Sequence, residues 1–344
     1  MKTVFVIGAG ASEEVGLPTG SALTKQIADS LAPIGSYDPQ KHSTETKIFI
    51  EALQKKAPAE MNKCINAAIR IRSALPLSIS IDNLISQLDD EKITLIGKFS
   101  IVRSILKAEQ RSQLMLKDQI SDSYSTVIKN MPQSWYQSFF KLLTEQCKAG
   151  DLEARLASIT LIVFNYDRCI EHFLFHAFRA LHGFSAGKAA DLVNSISIFH
   201  PYGTVGRLPW SNKEGVDLDY GSIPSPEELV GAAELIRTFT EGTNEISSEI
   251  MSIRHNVDSA DKLVFLGFGF HSMNMDLIYS GDIQSSKVTC YASVFNVSQN
   301  SQNAIHQRIQ RNYSSPVDVN MSNLKCNDFF SEYWHSLSFD QGWN

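Results

Sequence analysis

The sequence predicts an α/β fold, a parallel sheet flanked by helices with a large helical insertion, and three observations predict it. Residues 4–7 (VFVI) form a short β-branched and aromatic run stopped by Gly8, the pattern of a strand buried on both faces. Strand-like runs return only after residue 150, at 159–164, 196–199, 263–266 and 288–295, each followed by a polar or glycine-containing turn and then by helical spacing. Between these regions apolar residues recur at helical spacing, as in Ile48-Phe49 with Ala52-Leu53 and Phe139-Phe140 with Leu142-Leu143. A strand at the N-terminus and several after residue 150 imply one sheet assembled from both ends. Residues 1–20 and 151–344 are therefore expected to build the core, and 21–150 the insertion.

Composition narrows the functional classes. At 344 residues the chain exceeds a typical single domain, so two domains or one core with a large insertion is the natural expectation. With 43% hydrophobic and 20% charged residues it can bury a sizeable core and does not read as a disordered tail. The net charge of −6, without a long Lys or Arg block, argues against nucleic acid as a direct ligand. The five cysteines are odd in number and widely spaced, which points to reduced thiols and a cytoplasmic location. No apolar stretch is long enough to cross a bilayer. Lys2 and the apolar run after it loosely imitate a signal peptide, but the same residues open a phosphate loop.

That loop, Gly8-Ala9-Gly10-Ala11-Ser12, follows the first strand directly, so its backbone N–H groups and the next helix can face a pyrophosphate. The general dinucleotide fingerprint wants a third small residue three positions after Gly10, where Glu13 stands, so a plain strand-to-helix turn remains the alternative. Asn165-Tyr166-Asp167 closes the second strand at the edge where open α/β sheets place ligands; Asp167 as a helix cap is its bland counterpart. His200 follows the third strand and is the residue type whose ordinary pKa suits a general base at neutral pH, though histidines there are often structural. Leu266-Gly267-Phe268-Gly269-Phe270-His271, with Asn274 beyond, is a glycine-rich turn after the fourth.

Taken in chain order, these motifs resemble those of the sirtuin family: GAGxS followed by Gly16-Leu17-Pro18, then Asn-x-Asp, then a His-Gly motif stretched to His200-Pro201-Tyr202-Gly203, then the glycine turn. LGFGF followed by His and Asn resembles the defence-associated, anti-phage branch, and Ser80-Ile81-Asp82-Asn83-Leu84-Ile85 resembles a short motif of that branch. The resemblance implies a Rossmann-like core that binds NAD as its substrate. Gly8, Ala9, Gly10, Ala11, Ser12, Leu17 and Pro18 would wrap the phosphates and the ribose next to nicotinamide. Gly267, Phe268 and Gly269 would admit the adenosine half. Asp167 would receive the nicotinamide amide, Asn165 would orient the ribose and a water, and His200 would be the base.

Two departures point away from protein deacylation. The Asp-Phe-Arg of deacylating sirtuins is replaced by Thr19-Gly20-Ser21, and no cysteine lies between His200 and Gly267, where those enzymes carry a zinc ribbon. The expectation is an NAD hydrolase releasing nicotinamide and ADP-ribose, or a cyclised ADP-ribose where water is excluded, as the toxic, NAD-depleting effector of a bacterial defence system. Deacylation, ADP-ribosyl transfer and a non-catalytic nucleotide-sensing scaffold are the alternatives. Gating is implied, by a homo-oligomer or by a partner such as a HerA-type ATPase, an Argonaute-like protein or a nucleotide-signalling protein. Cys169, His172 and His176 have metal-like spacing, with His182 nearby, but Phe173, Leu174, Phe175 and Phe178 make this a core helix, and no metal is expected. The loop 203–226, rich in Gly and Pro beside the sheet edge, is expected to cover a site.

Overall fold

The computed structural model describes residues 1–35, 42–116, 134–238, 247–279 and 287–339, together with 241, 281 and 283. Parts of the expected insertion, 36–41 and 117–133, lie outside the described residues. Six strands form one all-parallel sheet: β1 (Thr3–Ile7), β2 (Ile159–Val163), β3 (Ser197–Phe199), β4 (Lys262–Leu266), β5 (Thr289–Ser293) and β6 (Asp318–Ser322). Their spatial order is β3-β2-β1-β4-β5-β6. The chain thus runs outward from β1 in one direction and then in the other, which is the Rossmann-like arrangement. Where the order reverses, between β1 and β4, the connections diverge at the C-terminal edge, the place where open α/β sheets ordinarily leave a crevice.

Every residue of β1, β2 and β4 is buried, as continuous apolar strands in a sheet covered on both faces must be. β6, with sequence DVNMS, has no apolar run to announce it; an edge strand needs only one hydrogen-bonded neighbour and tolerates polar side chains.

Helix α1 (Ala9–Glu13) leaves β1, and α2 (Gly20–Leu31), α3 (Thr44–Lys56), α4 (Met61–Ala74), α5 (Ile81–Leu88), α6 (Glu91–Arg111) and α7 (Trp135–Thr144) follow before any second strand. Among the described residues of 21–150 there is no strand. After α8 (Leu152–Leu156), α9 (Cys169–His182) and α10 (Ala186–Asn194) connect β2 to β3. The later helices are α11 (Pro226–Leu235), α12 (Ser248–Asp258), α13 (Ser272–Ile278), α14 (Gln299–Gln310), α15 (Cys326–Glu332) and α16 (Trp334–Leu337).

The side-chain alternation of the strands divides the core in two. Val4, Val6, Leu263 and Phe265 meet apolar residues of α2 to α6, while Phe5, Ile7, Val264 and Leu266 meet those of α7, α9 and α15. Helices from 21–150 therefore cover both faces of the sheet. Trp135 and Phe139 of α7 show how firmly: Phe139 meets Phe5 edge-on at 5.0 Å, and the Trp135 indole donates to the Ala11 carbonyl at 2.8 Å. Burying each such ring contributes on the order of 2–3 kcal/mol.

Local signals set the helix starts. Ser43, Ser80 and Asp90 accept N–H groups of the first turns of α3, α5 and α6. Ser225 and Glu228 form a reciprocal capping box ahead of α11. No described helix is long and apolar enough to cross a membrane.

Candidate functional site

The loop after β1 and the turn after β4 touch backbone to backbone. Gly8 donates its N–H to the Leu266 carbonyl at 2.9 Å, and Gly10 donates to that of Gly267 at 3.0 Å. A Cβ at Gly8 would lie 2.6 Å from the Gly267 oxygen, and one at Gly267 only 2.0 Å from the Ala11 nitrogen, with φ at Gly267 +55°. Glycine is thus required there by the approach of the two loops. Ala9 and Gly10 are half-buried, and Ala11 and Ser12 are buried. Leu17 is a core residue beside the half-buried Pro18, and Phe268 is buried against Phe164 at 5.1 Å. Gly269 is exposed.

Asn165 follows β2 by two residues and reaches under this loop. Its Nδ2 donates to the Gly8 carbonyl at 3.2 Å and to Ser12 Oγ at 2.9 Å, and Ser12 Oγ in turn meets Tyr136 Oη at 3.1 Å. Asn165 Oδ1, also buried, has no partner in the protein. Asp167 Oδ1 accepts the Cys169 N–H at 3.1 Å, at the start of α9; burial pushes its carboxyl up, against the hydrogen bonds from Cys169 and Ser12. Tyr166 donates to Asp82, the acidic residue of the 80–85 motif on α5. Tyr202, two residues after His200, donates to Asn274 Oδ1 at 2.6 Å and packs edge-on against Phe164 at 5.7 Å. All four strand-end motifs, and the short motif from the insertion, therefore converge on one side-chain cluster at the C-terminal edge of the sheet.

His200 is buried with both ring nitrogens engaged. Nδ1 faces the Asn165 carbonyl at 3.1 Å and Nε2 faces Glu171 Oε1 at 2.8 Å. In this conformation neither nitrogen has a lone pair open to a substrate, so base chemistry at this ring requires the Glu171 contact to loosen. Burial pushes the Glu171 carboxyl up, but His200 and Lys213 beside it outweigh that and hold it well below the usual carboxylate range. Its second oxygen, Oε2, is buried without a partner.

No protein-family model matches the chain, and no curated protein matches it either.

On the Glu171 side of His200 opens a cavity of about 290 Å³, lined among others by Arg168, Thr204, Lys213 and Arg237. Much of the wall is the loop 203–226, closed on itself where Arg207 pairs with Asp217 at 2.5 Å. Residues 8–12 and Asn165 are not part of that wall. Beneath it Arg168 and Glu109 of α6 form a fully buried ion pair at 2.5 Å; Gly221 donates its N–H to the same carboxylate at 3.0 Å, and Arg168 donates to the Leu218 carbonyl at 2.6 Å.

Glu171, Glu109 and Tyr136 carry no motif. Glu171 sits in the first turn of α9, where an acidic residue ordinarily reads as a complement to the helix dipole. Cys169 Sγ lies 3.1 Å from Tyr220 Oη, and the His172 ring stacks on Tyr220 at 3.9 Å with Nε2 on the Leu114 carbonyl at 3.1 Å. Burial pulls His172 well below its ordinary pKa and His176 down to about 3. No three His, Cys, Asp or Glu side chains are grouped to hold a metal among the described residues.

Proposed function

We propose that this chain is an NAD-cleaving enzyme of sirtuin-like type that releases nicotinamide and ADP-ribose, acting in the cytoplasm as the NAD-depleting effector of an anti-phage defence system. The observation that carries the reading is Asn165: a buried carboxamide at the topological switch edge, fixed through Nδ2 by Gly8 and Ser12 and through its own carbonyl by His200, with Oδ1 lacking a partner. A buried acceptor without a donor costs about 1–3 kcal/mol, and a water or ribose hydroxyl is the donor such a site is built to take.

Nicotinamide leaves NAD as a neutral molecule from a cationic ring, so no general acid is needed and the ribose passes through an oxocarbenium-like state. The chain's task is position: Asn165 aligns the attacking water or the ribose, and His200, once its ring is released from Glu171, takes a proton. The engaged ring and the loops in mutual contact fit an enzyme at rest. A homo-oligomer or a partner defence protein, whether a HerA-type ATPase, an Argonaute-like protein or a nucleotide-signalling protein, would favour the open form.

The glycine contacts also favour a second reading. The mutual packing of Gly8, Gly10 and Gly267 accounts for those glycines without any ligand, as a non-catalytic nucleotide-sensing scaffold would allow. Nicotinamide release from NAD by the purified chain, followed against protein concentration, decides between them. Turnover that rises with assembly and disappears in Asn165→Ala supports the enzyme; none at any concentration or with candidate partners supports the scaffold.

A further inference from the structure

We propose that Glu171 is a positioning residue that orients the His200 ring, and that Lys213, carried by the loop over the adjoining cavity, weakens its hold. The proposal rests on the NAD-cleaving reading for its kinetic consequence only. Its basis is one chain of contacts: the Asn165 carbonyl at His200 Nδ1, Glu171 Oε1 at Nε2, and Lys213 Nζ at 3.4 Å from that same Oε1. Nδ1 faces a carbonyl, which only accepts, so it carries a proton; Nε2 faces a carboxylate oxygen at 2.8 Å, where two lone pairs would repel unless a proton lay between them. The ring therefore cannot rotate or lose the second proton without loosening its contact with Glu171. Lys213 competes for the oxygen that holds it.

The other charged groups facing this carboxylate are already occupied or remote from the contact. Arg168 is paired with Glu109, Arg207 with Asp217 and Arg237 with Glu249, while Glu214 is exposed on the loop. Among the described residues Lys213 is the cation whose Nζ reaches Glu171. Because Lys213 rides on the loop, displacement of that loop by a ligand in the cavity or by a docked partner would change the balance at His200. The site is thereby a point where loop position is converted into ring freedom.

Two variants shift the balance in opposite directions. Glu171→Gln keeps the shape and removes the charge, and is expected to loosen the His200 ring, lowering the order parameter of its 13C signal, since the charge-assisted hydrogen bond at Nε2 is lost. Lys213→Met removes the competitor for Glu171 Oε1 and is expected to tighten the ring by a smaller amount. The direct readout is the ring signal in protein labelled with 13C-histidine, assigned by its loss in His200→Gln, with thermal melting to confirm folding. Lys213→Met, at a half-exposed side chain on the loop, keeps the test alive if Glu171→Gln does not fold. The NAD-cleavage rate should move in opposite directions in the two variants. A His200 ring signal that relaxes alike in wild type and both variants overturns the proposal, as does a cleavage rate that ignores a signal that moves. A wild-type chain that cleaves no NAD in any assembly removes the NAD reading instead, and the ring signal then decides this proposal alone.

Discussion

Between β1 and β4 the chain sets backbone against backbone, with Gly8 and Gly10 on Gly267 and the rings of Phe164 and Phe268 behind them. Beyond His200 it does the reverse, holding a cavity open with Arg168, Lys213, Arg237 and the buried carboxylate of Glu171. In the first region the N–H groups of Gly8 and Gly10 are paired within the protein. The second keeps Glu171 Oε2 unpartnered, and Asn165 Oδ1, likewise unpartnered, stands where the two regions meet. The glycine motif thus shows where the chain closes on itself, and the unmet acceptors show where it can engage something else.

The largest expected effect falls on the junction. Asn165→Ala and His200→Ala should each lower NAD cleavage by roughly 100-fold or more, the scale of losing a positioned catalytic group, with circular dichroism unchanged. Wild-type turnover in either would break the assignment of the junction as the reacting centre.

The regions should also differ sharply in how they respond to a broken ion pair. Glu109→Gln leaves Arg168 charged in the interior, at an expected cost of about 3–5 kcal/mol in urea denaturation. Arg207→Met removes a pair from the solvated loop wall and should cost under about 1 kcal/mol. Equal losses would mean that the cavity wall is as tightly built as the layer beneath it.

Backbone contact can be broken separately from charge. Gly267→Ala places a methyl group against Ala11 at a positive φ and should destabilise by about 3 kcal/mol. Gly20→Ala, where nothing lies within 4 Å of the new Cβ, should stay within about 0.5 kcal/mol. A mild Gly267→Ala would mean that the two loops part readily, which would bring the crevice closer in character to the cavity.

How much of this could be read from the sequence follows from the same contrast. The apolar strands β1, β2 and β4 were legible because strands buried on both faces are continuous hydrophobic runs. The polar edge strand β6 was not, since its side chains look no different from a loop. Residues after strands, Gly8, Asn165, His200 and Gly267, could be brought to one edge by parallel topology alone. Glu171 could not: its place in the first turn of α9 has an ordinary helical explanation, and only the fold sets it against His200. Nor could Glu109, which reaches Arg168 across 59 residues of chain. Asp82 of the 80–85 motif accepts the Tyr166 hydroxyl at the heart of the cluster, a contact made across 84 residues of chain.

That last contact gives the smallest expected effect and depends on pH. Burial raises the Asp82 carboxyl above its ordinary range, opposed by the hydrogen bond from Tyr166. A carboxyl whose pKa is raised by folding binds more protons in the folded state, so its contribution favours the fold at low pH and fades as pH rises from the ordinary aspartate range through the folded value. Asp82→Asn mimics the protonated form and still accepts from Tyr166, so at neutral pH it should match or exceed wild type by up to about 1 kcal/mol. The advantage should vanish as the pH is lowered and wild-type Asp82 takes up its proton. Tyr166→Phe should act oppositely, costing about 1 kcal/mol at neutral pH by stripping the carboxylate of its donor, and less in acid. Urea midpoints for the three proteins across that range provide the check. If Asp82→Asn is instead strongly destabilising at neutral pH, the charge itself holds α5 to the cluster, and the crevice side depends on electrostatics as much as the cavity does.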